Sequence, residues 1–329
     1  MNDLNRLTQS VKKSIGLAHK RDIAAVTGLL NKRMPSGAIA LGDDCAAIAD
    51  RDGFLLFAAE GFLNEFVATQ PWFAGYCGVM VNVSDIYAMG GRPIAVVDAI
   101  WSDGEAQAKP VLEGMAAASE IYRVPIAGGH SNLRSDRPQL SVAILGRANK
   151  LLSSFAAKAG QKLLAAVDLR GHFREPHAWW DASTGSPQER LREDLELLPQ
   201  LAEGGLCAAA KDISMAGLIG TVLMLLESSG LGGVIDIAAI PRPPDIPLER
   251  WLCCFPSYGF VLSVEDKHSE AVIGRFSERG IACSVIGETD ASGRLRVADA
   301  GSEELLWDLH AEPLTGCGIK PERYASRTL

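Results

Sequence analysis

The 329-residue chain carries 32 Lys and Arg against 40 Asp and Glu, a net charge of −8, with 47% hydrophobic and 22% charged residues. This is a globular composition with room for about two domains. It excludes a disordered chain, and the negative balance excludes a nucleic-acid binder driven by phosphate neutralisation.

The chain opens with two helical patterns, over 4–17 and over 22–30, the second with Ile23, Val26, Leu29 and Leu30 on one face, and Pro35-Ser36-Gly37 ends them. Residues 1–36 hold seven basic side chains against Asp3 and Asp22, so positive charge is concentrated there. Strands are expected at 38–41, 46–49 and 54–59, the last two joined by the turn Asp50-Arg51-Asp52-Gly53. A long small-residue helix over 71–89 is closed by Gly90-Gly91, followed by a strand at 93–101, a helix at 105–122, a short strand at 124–127 and a strand at 139–148.

The mixed-polarity stretch at 150–160 marks a boundary. The chain divides into a helical N-terminal segment (1–36), a first domain (37–150), a second domain (155–312) and a tail (313–329). In the second domain a strand at 162–168 leads into a polar and aromatic stretch through Trp179-Trp180, and 183–188 reads as a loop. Helices over 189–203 and 215–228, a strand near 234–237, the break at 241–244, a strand at 260–264, a helix at 267–279, a strand at 282–286 and a hairpin around 290–293 follow. Irregular alternation of strands and helices predicts an α/β (α+β) fold of two packed α/β units.

Met1–Lys13 lacks the apolar core of a signal peptide, and the longest apolar stretch, 216–226, is well short of the ~20 residues that span a bilayer. Seven cysteines, at 45, 77, 207, 253, 254, 283 and 317, are odd in number and form no Cys-x-x-Cys pair, so neither a disulfide framework nor a zinc site is indicated. A cytoplasmic protein without a membrane partner is expected.

Four patches carry the chemistry. Gly42-Asp43-Asp44 lies between strand-like segments, where the carboxylates suit a divalent cation and an ordinary Asx turn accounts for the dipeptide as well. In Asn82-Val83-Ser84-Asp85, Asn82 and Asp85 are i, i+3 neighbours on one helix face. A carboxylate on an apolar helix calls for a cation or a hydrogen-bond partner, the alternative being an Asp that caps a neighbouring loop. Gly128-Gly129-His130 follows a short strand and suits close approach of a phosphate, with a plain loop histidine as the alternative. Lys211-Asp212-Ile213-Ser214 opens a helix, where an N-cap and an anion-binding helix start are compatible. Glu60, at the end of the 54–59 strand, is placed to reach a site between layers, and Lys12 and Lys13 either close over phosphates or form a solvated helix face. Carboxylates beside glycines are what Mg²⁺ and a nucleotide phosphate chain require together.

In order and spacing these patches resemble the superfamily of ATP-dependent enzymes related to aminoimidazole ribonucleotide (AIR) synthetase, which includes thiamine-monophosphate kinase, selenophosphate synthetase, the hydrogenase-maturation dehydratase and the formylglycinamide ribonucleotide amidotransferase. Gly42-Asp43-Asp44-Cys45-Ala46 looks like the kinase's Gly-Asp-Asp-x-Ala loop, Phe57-Ala58-Ala59-Glu60 occupies the place of its Ser-Thr-Asp strand end, and Asn82-Val83-Ser84-Asp85 with Ala88-Met89-Gly90 is similar to its Asn-Leu-Ser-Asp-x-x-Ala-Met-Gly helix. The last match is the most specific.

The resemblance implies a two-domain fold, a homodimer formed by the first domain through a shared β-barrel, and ATP with Mg²⁺ held at the domain junction. Carried over residue by residue, it makes Asp43, Asp85 and Asp212 catalytic candidates, and Asp43, Asp44, Glu60, Asp85 and Asp212 metal ligands. Gly42, Asn82, Gly128, Gly129, His130, Lys211 and Ser214 become nucleotide-binding residues. The chain departs from the kinase where Gly-Gly-Asp becomes Gly128-Gly129-His130, and where a second acidic residue is lost around Met215. The expected function is ATP- and Mg²⁺-dependent phosphoryl transfer to, or activation of, a small molecule, with 177–180 and 131–138 shaping the acceptor pocket. The alternative is a catalytically silent nucleotide-binding subunit.

Overall fold

The computed structural model describes residues 3–30 and 39–318. The helices α1 (Asp3–Lys12) and α2 (Ile15–Leu30) differ from the expected pair because the chain bends at Lys13-Ser14, where the Ser14 hydroxyl accepts the Leu17 N–H at 3.4 Å and starts α2 well before Asp22. No strand forms at 39–41, while Ala38, the break at 35–37 and the end of the tail lie outside the described residues. Then follow β1 (Ala46–Asp50), β2 (Gly53–Gly61), the unexpected α3 (Asn64–Thr69), α4 (Pro71–Ala88), β3 (Arg92–Asp103), α5 (Glu105–Tyr122), β4 (Ile126–Asn132) and β5 (Arg134–Ala148).

Next are β6 (Lys162–Val167), two short strands β7 (His172–Phe173) and β8 (Trp179–Asp181), and α6 (Gln188–Leu195) with α7 (Leu197–Glu203), which split the single helix expected at 189–203. The remainder is β9 (Ala209–Asp212), α8 (Gly217–Ser229), β10 (Gly232–Asp236), α9 (Leu248–Leu252), β11 (Phe255–Pro256), β12 (Gly259–Val264), α10 (Asp266–Glu278), β13 (Ala282–Asp290), β14 (Arg294–Asp299) and β15 (Ser302–Asp308).

These elements form two compact units. One comprises Asp44–Leu151 and Ser183–Glu203. Its open five-stranded sheet has the order β1-β2-β5-β3-β4, antiparallel throughout except for the β3–β4 pair. α4 is apolar nearly all round and correspondingly buried, packed on one face of this sheet and against α5. A Cβ at Gly75 of α4 would strike the Val111 carbonyl, and one at Gly114 of α5 the Trp72 carbonyl, so the two helices touch backbone to backbone. Ser183 joins the later segment to this unit through hydroxyl hydrogen bonds of 2.6 Å with both Tyr76 and Tyr122, and Arg92 pairs with Glu196 and Glu203.

The opposite face of the sheet is apolar and open. Phe57 of β2 lies directly across from Leu145 of β5; Val97 pairs with Ala143 and Ile48 with Leu55, each two residues along from that pair and therefore on the same face. Phe57, Leu145, Val97 and Ile48 are exposed, Phe57 at 50%.

The other unit takes the described residues of 1–43, 152–182 and 204–329. Its seven-stranded sheet runs β15-β14-β10-β13-β6-β12-β9, and a small sheet runs β11-β8-β7. Leu163, Ala165, Val222, Leu225, Val261 and Ile286 are fully buried in its core. The hairpin expected around 290–293 does not form as a pair: β10 lies between β13 and β14, antiparallel to the first and parallel to the second. Gly232, Gly233 and Gly287 allow this insertion, because a Cβ at any of them would collide with a neighbouring strand.

Candidate metal centre

In the first unit α4 holds Asn82 completely buried and Asp85 5% exposed. The Asn82 amide donates to the Gly78 carbonyl at 2.8 Å and the Val142 carbonyl at 3.1 Å. Two carbonyl acceptors fix which end of the amide is nitrogen, and Oδ1 is left buried with no donor. A buried acceptor without a partner is costly, about 1–3 kcal/mol, and a cation relieves that cost. Asp44, in the bend before β1, brings a carboxylate oxygen within 4.8 Å of one from Asp85. Two like charges at that separation repel by about 3 kcal/mol at an effective dielectric of 20. Oxygen donors alone, two of them anionic, match Mg²⁺ or Ca²⁺ rather than a softer ion.

The adjacent Asp43 belongs to the second unit and is occupied differently. Its carboxylate accepts from the Ser153 hydroxyl at 2.6 Å, the Ser154 N–H at 2.7 Å and the Ser154 hydroxyl, closing the turn at 153–154. The dipeptide thus splits, Asp44 toward Asp85 and Asp43 into a hydrogen-bonded turn. In the same unit the buried Lys211 donates to the Gly42 carbonyl at 3.3 Å. Asp212, 4% exposed, is the last residue of β9, and the turn after it holds a buried Ser214 hydroxyl with no hydrogen-bond partner. β9 displaces the helix start: α8 begins at Gly217 rather than at Met215.

Glu60 lies on β2 opposite Val142, so its side chain is on the sheet face that α4 covers. Gly128, Gly129 and His130 are not in a loop after a strand ending at 127. They lie inside β4, an exposed edge strand, with the His130 ring 5.9 Å from that of Trp101. A carboxylate not anticipated from the sequence accompanies them. Asp98 of β3 pairs with Val142 on one side and Gly129 on the other, and any Cβ at 129 would strike it. Asp98 and Glu60 therefore flank Val142 on one face, two strand spacings or about 10 Å apart. The available signal was an Asp interrupting the apolar run of 93–101.

Partial burial pushes the Asp98 carboxyl above the usual range, with its own backbone N–H opposing weakly. A raised folded-state value favours the neutral form, so its stabilising contribution is complete below the ordinary Asp range and is lost as pH rises through the raised value. Asp98→Asn is expected to raise the Tm at neutral pH and to leave it unchanged near pH 3. Thermal melts at both values check this, and an equal shift at both would contradict it.

Residues 42–148 match the AIR synthase related protein N-terminal domain, and residues 170–300 match the C-terminal domain of the same family. An uncharacterized protein of Synechocystis sp. is 46% identical over 317 residues, covering 95% of this chain and 98% of that one. The chain belongs to the AIR synthase-related family.

An uncharacterized protein of Methanocaldococcus jannaschii is 35% identical over 280 residues, 84% of this chain and 86% of that one. The phosphoribosylformylglycinamidine synthase subunit PurL of Methanosarcina mazei is 26% identical over 302 residues, 84% of this chain and 42% of its own length. Among solved structures, T. maritima PurL complexed with ATP overlays with a TM-score of 0.75 at 18% identity, covering 95% of this chain and 54% of that one. AaThiL complexed with AMPPCP and TMP overlays with a TM-score of 0.62 at 18% identity, covering 84% and 91%. These two overlays establish a shared fold. The chain spans about half the length of the PurL chains it matches. No described helix is long and apolar enough to cross a membrane.

Proposed function

We propose that this protein binds ATP with Mg²⁺ and transfers the γ-phosphoryl group to a small-molecule acceptor, or activates the acceptor by that transfer. The observation that carries the reading is the approach of Asp44 to Asp85, with the donorless Asn82 Oδ1 three residues before Asp85 on the helix whose motif matches the family best. Asp44, Asp85 and Asn82 would hold the divalent cation, with Glu60 beyond them on the same sheet face. Mg²⁺ bound there would neutralise phosphate charge and align the γ-phosphoryl group. The residues of the chain hold and orient; such a transfer needs little covalent chemistry from the protein. Asp212 is assigned to the metal and phosphate set, and Lys211 and Ser214 to the nucleotide, on the motif match. Asp43 is assigned as a positioning residue that fixes the loop from which Asp44 projects.

ATP turnover with Mg²⁺ across a panel of small-molecule acceptors tests this reading. No turnover with any acceptor, together with tight ADP binding, would favour the silent nucleotide-binding subunit. That second reading is supported by β4, where the exposed His130 stands in place of a carboxylate.

The open apolar sheet face supports pairing of two copies through that sheet, and seven cysteines with no Cys-x-x-Cys pair fit a reducing, cytoplasmic setting. Phe57→Glu is expected to convert a dimer to monomers in sedimentation velocity; a dimer that persists in this variant contradicts pairing through this face.

A further inference from the structure

The second unit holds a cleft of about 540 Å³ where the α1–α2 bend meets α9. Its lining carries Lys13, Arg250 and Glu249; Glu249 already accepts the Ser10 hydroxyl, and Arg250 is paired with Glu175 outside the lining. Among the described residues no carboxylate pairs with Lys13. Arg250 is held from behind: its guanidinium carbon sits 3.7 Å from the centre of the Phe173 ring, and it donates to Glu175 at 2.8 Å and to the His177 carbonyl at 3.5 Å. A cation fixed in this way loses little further side-chain entropy when an anion arrives. The same contacts tie Phe173, Glu175 and His177 of the polar and aromatic stretch to Arg250.

Both walls rest directly on the turn that follows Asp212. A Cβ at Gly16, at the start of α2, would collide with the Met215 carbonyl, and one at Gly217 would collide with the Leu252 carbonyl and crowd Cys253, which lines the cleft. No side chain fits between cleft and turn at either contact. The walls of the cleft and the turn after Asp212 are therefore packed backbone to backbone.

We propose that this cleft anchors the acceptor by an anionic group, a phosphate or a carboxylate, bound by Lys13 and Arg250. As an acceptor site it rests on the phosphoryl transfer proposed above; as an anion site it stands on its own geometry, and the experiment separates the two. Cys253 reports on occupancy, and Cys283, also partly exposed but on β13 and not part of the cleft, serves as the reference.

The full-length protein is alkylated with iodoacetamide in the presence of inorganic phosphate or, in a parallel arm, acetate, and the two cysteines are followed by mass spectrometry. Phosphate at about ten times its Kd is expected to slow Cys253 about tenfold and to leave Cys283 unchanged. Lys13→Gln should lose this protection and Lys13→Arg keep it. Protection by acetate alone would assign a carboxylate as the anchored group. Protection should also persist in Asp85→Asn, so loss of nucleotide turnover leaves the site intact. Equal rates with and without both anions, equal slowing of both cysteines, or full protection in Lys13→Gln would overturn the proposal even in a protein that binds Mg²⁺–ATP.

Discussion

Asp85→Asn is expected to lower ATP-dependent phosphoryl transfer by at least about 100-fold, the usual scale for losing a group that stabilises charge in the transition state. The same substitution keeps the size and shape of a side chain that is 5% exposed. It also removes one charge from a carboxylate pair within 4.8 Å, so the Tm should be unchanged or higher. Turnover and thermal melts on the same preparation distinguish this from damage to α4, which would lower both. Retained turnover in a folded variant would remove Asp85 from the proposed centre.

The second large effect separates two neighbouring carboxylates that look equivalent on paper. Asp43→Ala takes away an acceptor used by three donors of Ser153 and Ser154, and about 2–4 kcal/mol of stability should be lost, because charge-assisted hydrogen bonds disappear together. Asp44→Asn relieves repulsion and should leave stability intact while weakening Mg²⁺-dependent nucleotide binding. Denaturant melts combined with a nucleotide titration give both readouts. If Asp43→Ala melts like the wild type and loses Mg²⁺ dependence, the roles of the two residues are the reverse of those proposed.

Local signals were easiest to read in α4 and in the β1–β2 hairpin. Pro71 starts α4 and Gly90-Gly91 follows it, with small and apolar residues between, and Asp50–Gly53 closes a tight turn between two apolar runs. Features set by distant partners were not readable in the same way. β10 separates β13 from β14 although 290–293 has the composition of a hairpin turn, because strand order depends on which backbones can approach, and the Gly232-Gly233 pair lies far in sequence from Gly287. The short β9 was hidden for a similar reason: its four residues are buried by pairing with β12, not by a local pattern.

The site shows the same division. The i, i+3 spacing of Asn82 and Asp85 on a helix was visible in the chain, and so was the acidic pair at 43–44. Which of the pair is taken up in hydrogen bonds depends on Ser153 and Ser154, more than a hundred residues away. Asp98 carries no local signal of its own: a single acid in an apolar strand is ordinary until its register places it against Gly129 and beside Val142, with Glu60 on the other side. The local pattern ends the strand at 127, whereas the β-ladder with β3 extends through His130.

On the proposed function Asp44 and Asp85, with Asn82, hold the divalent cation on which nucleotide binding depends. Calorimetric titration of ATP into the full-length protein, with Mg²⁺ and again with Mg²⁺ removed by EDTA, tests it most directly. Binding in Mg²⁺ that weakens at least about tenfold in EDTA, and by a similar factor in Asp44→Asn with Mg²⁺ present, is the predicted result. Equal ATP affinity under all three conditions would contradict it.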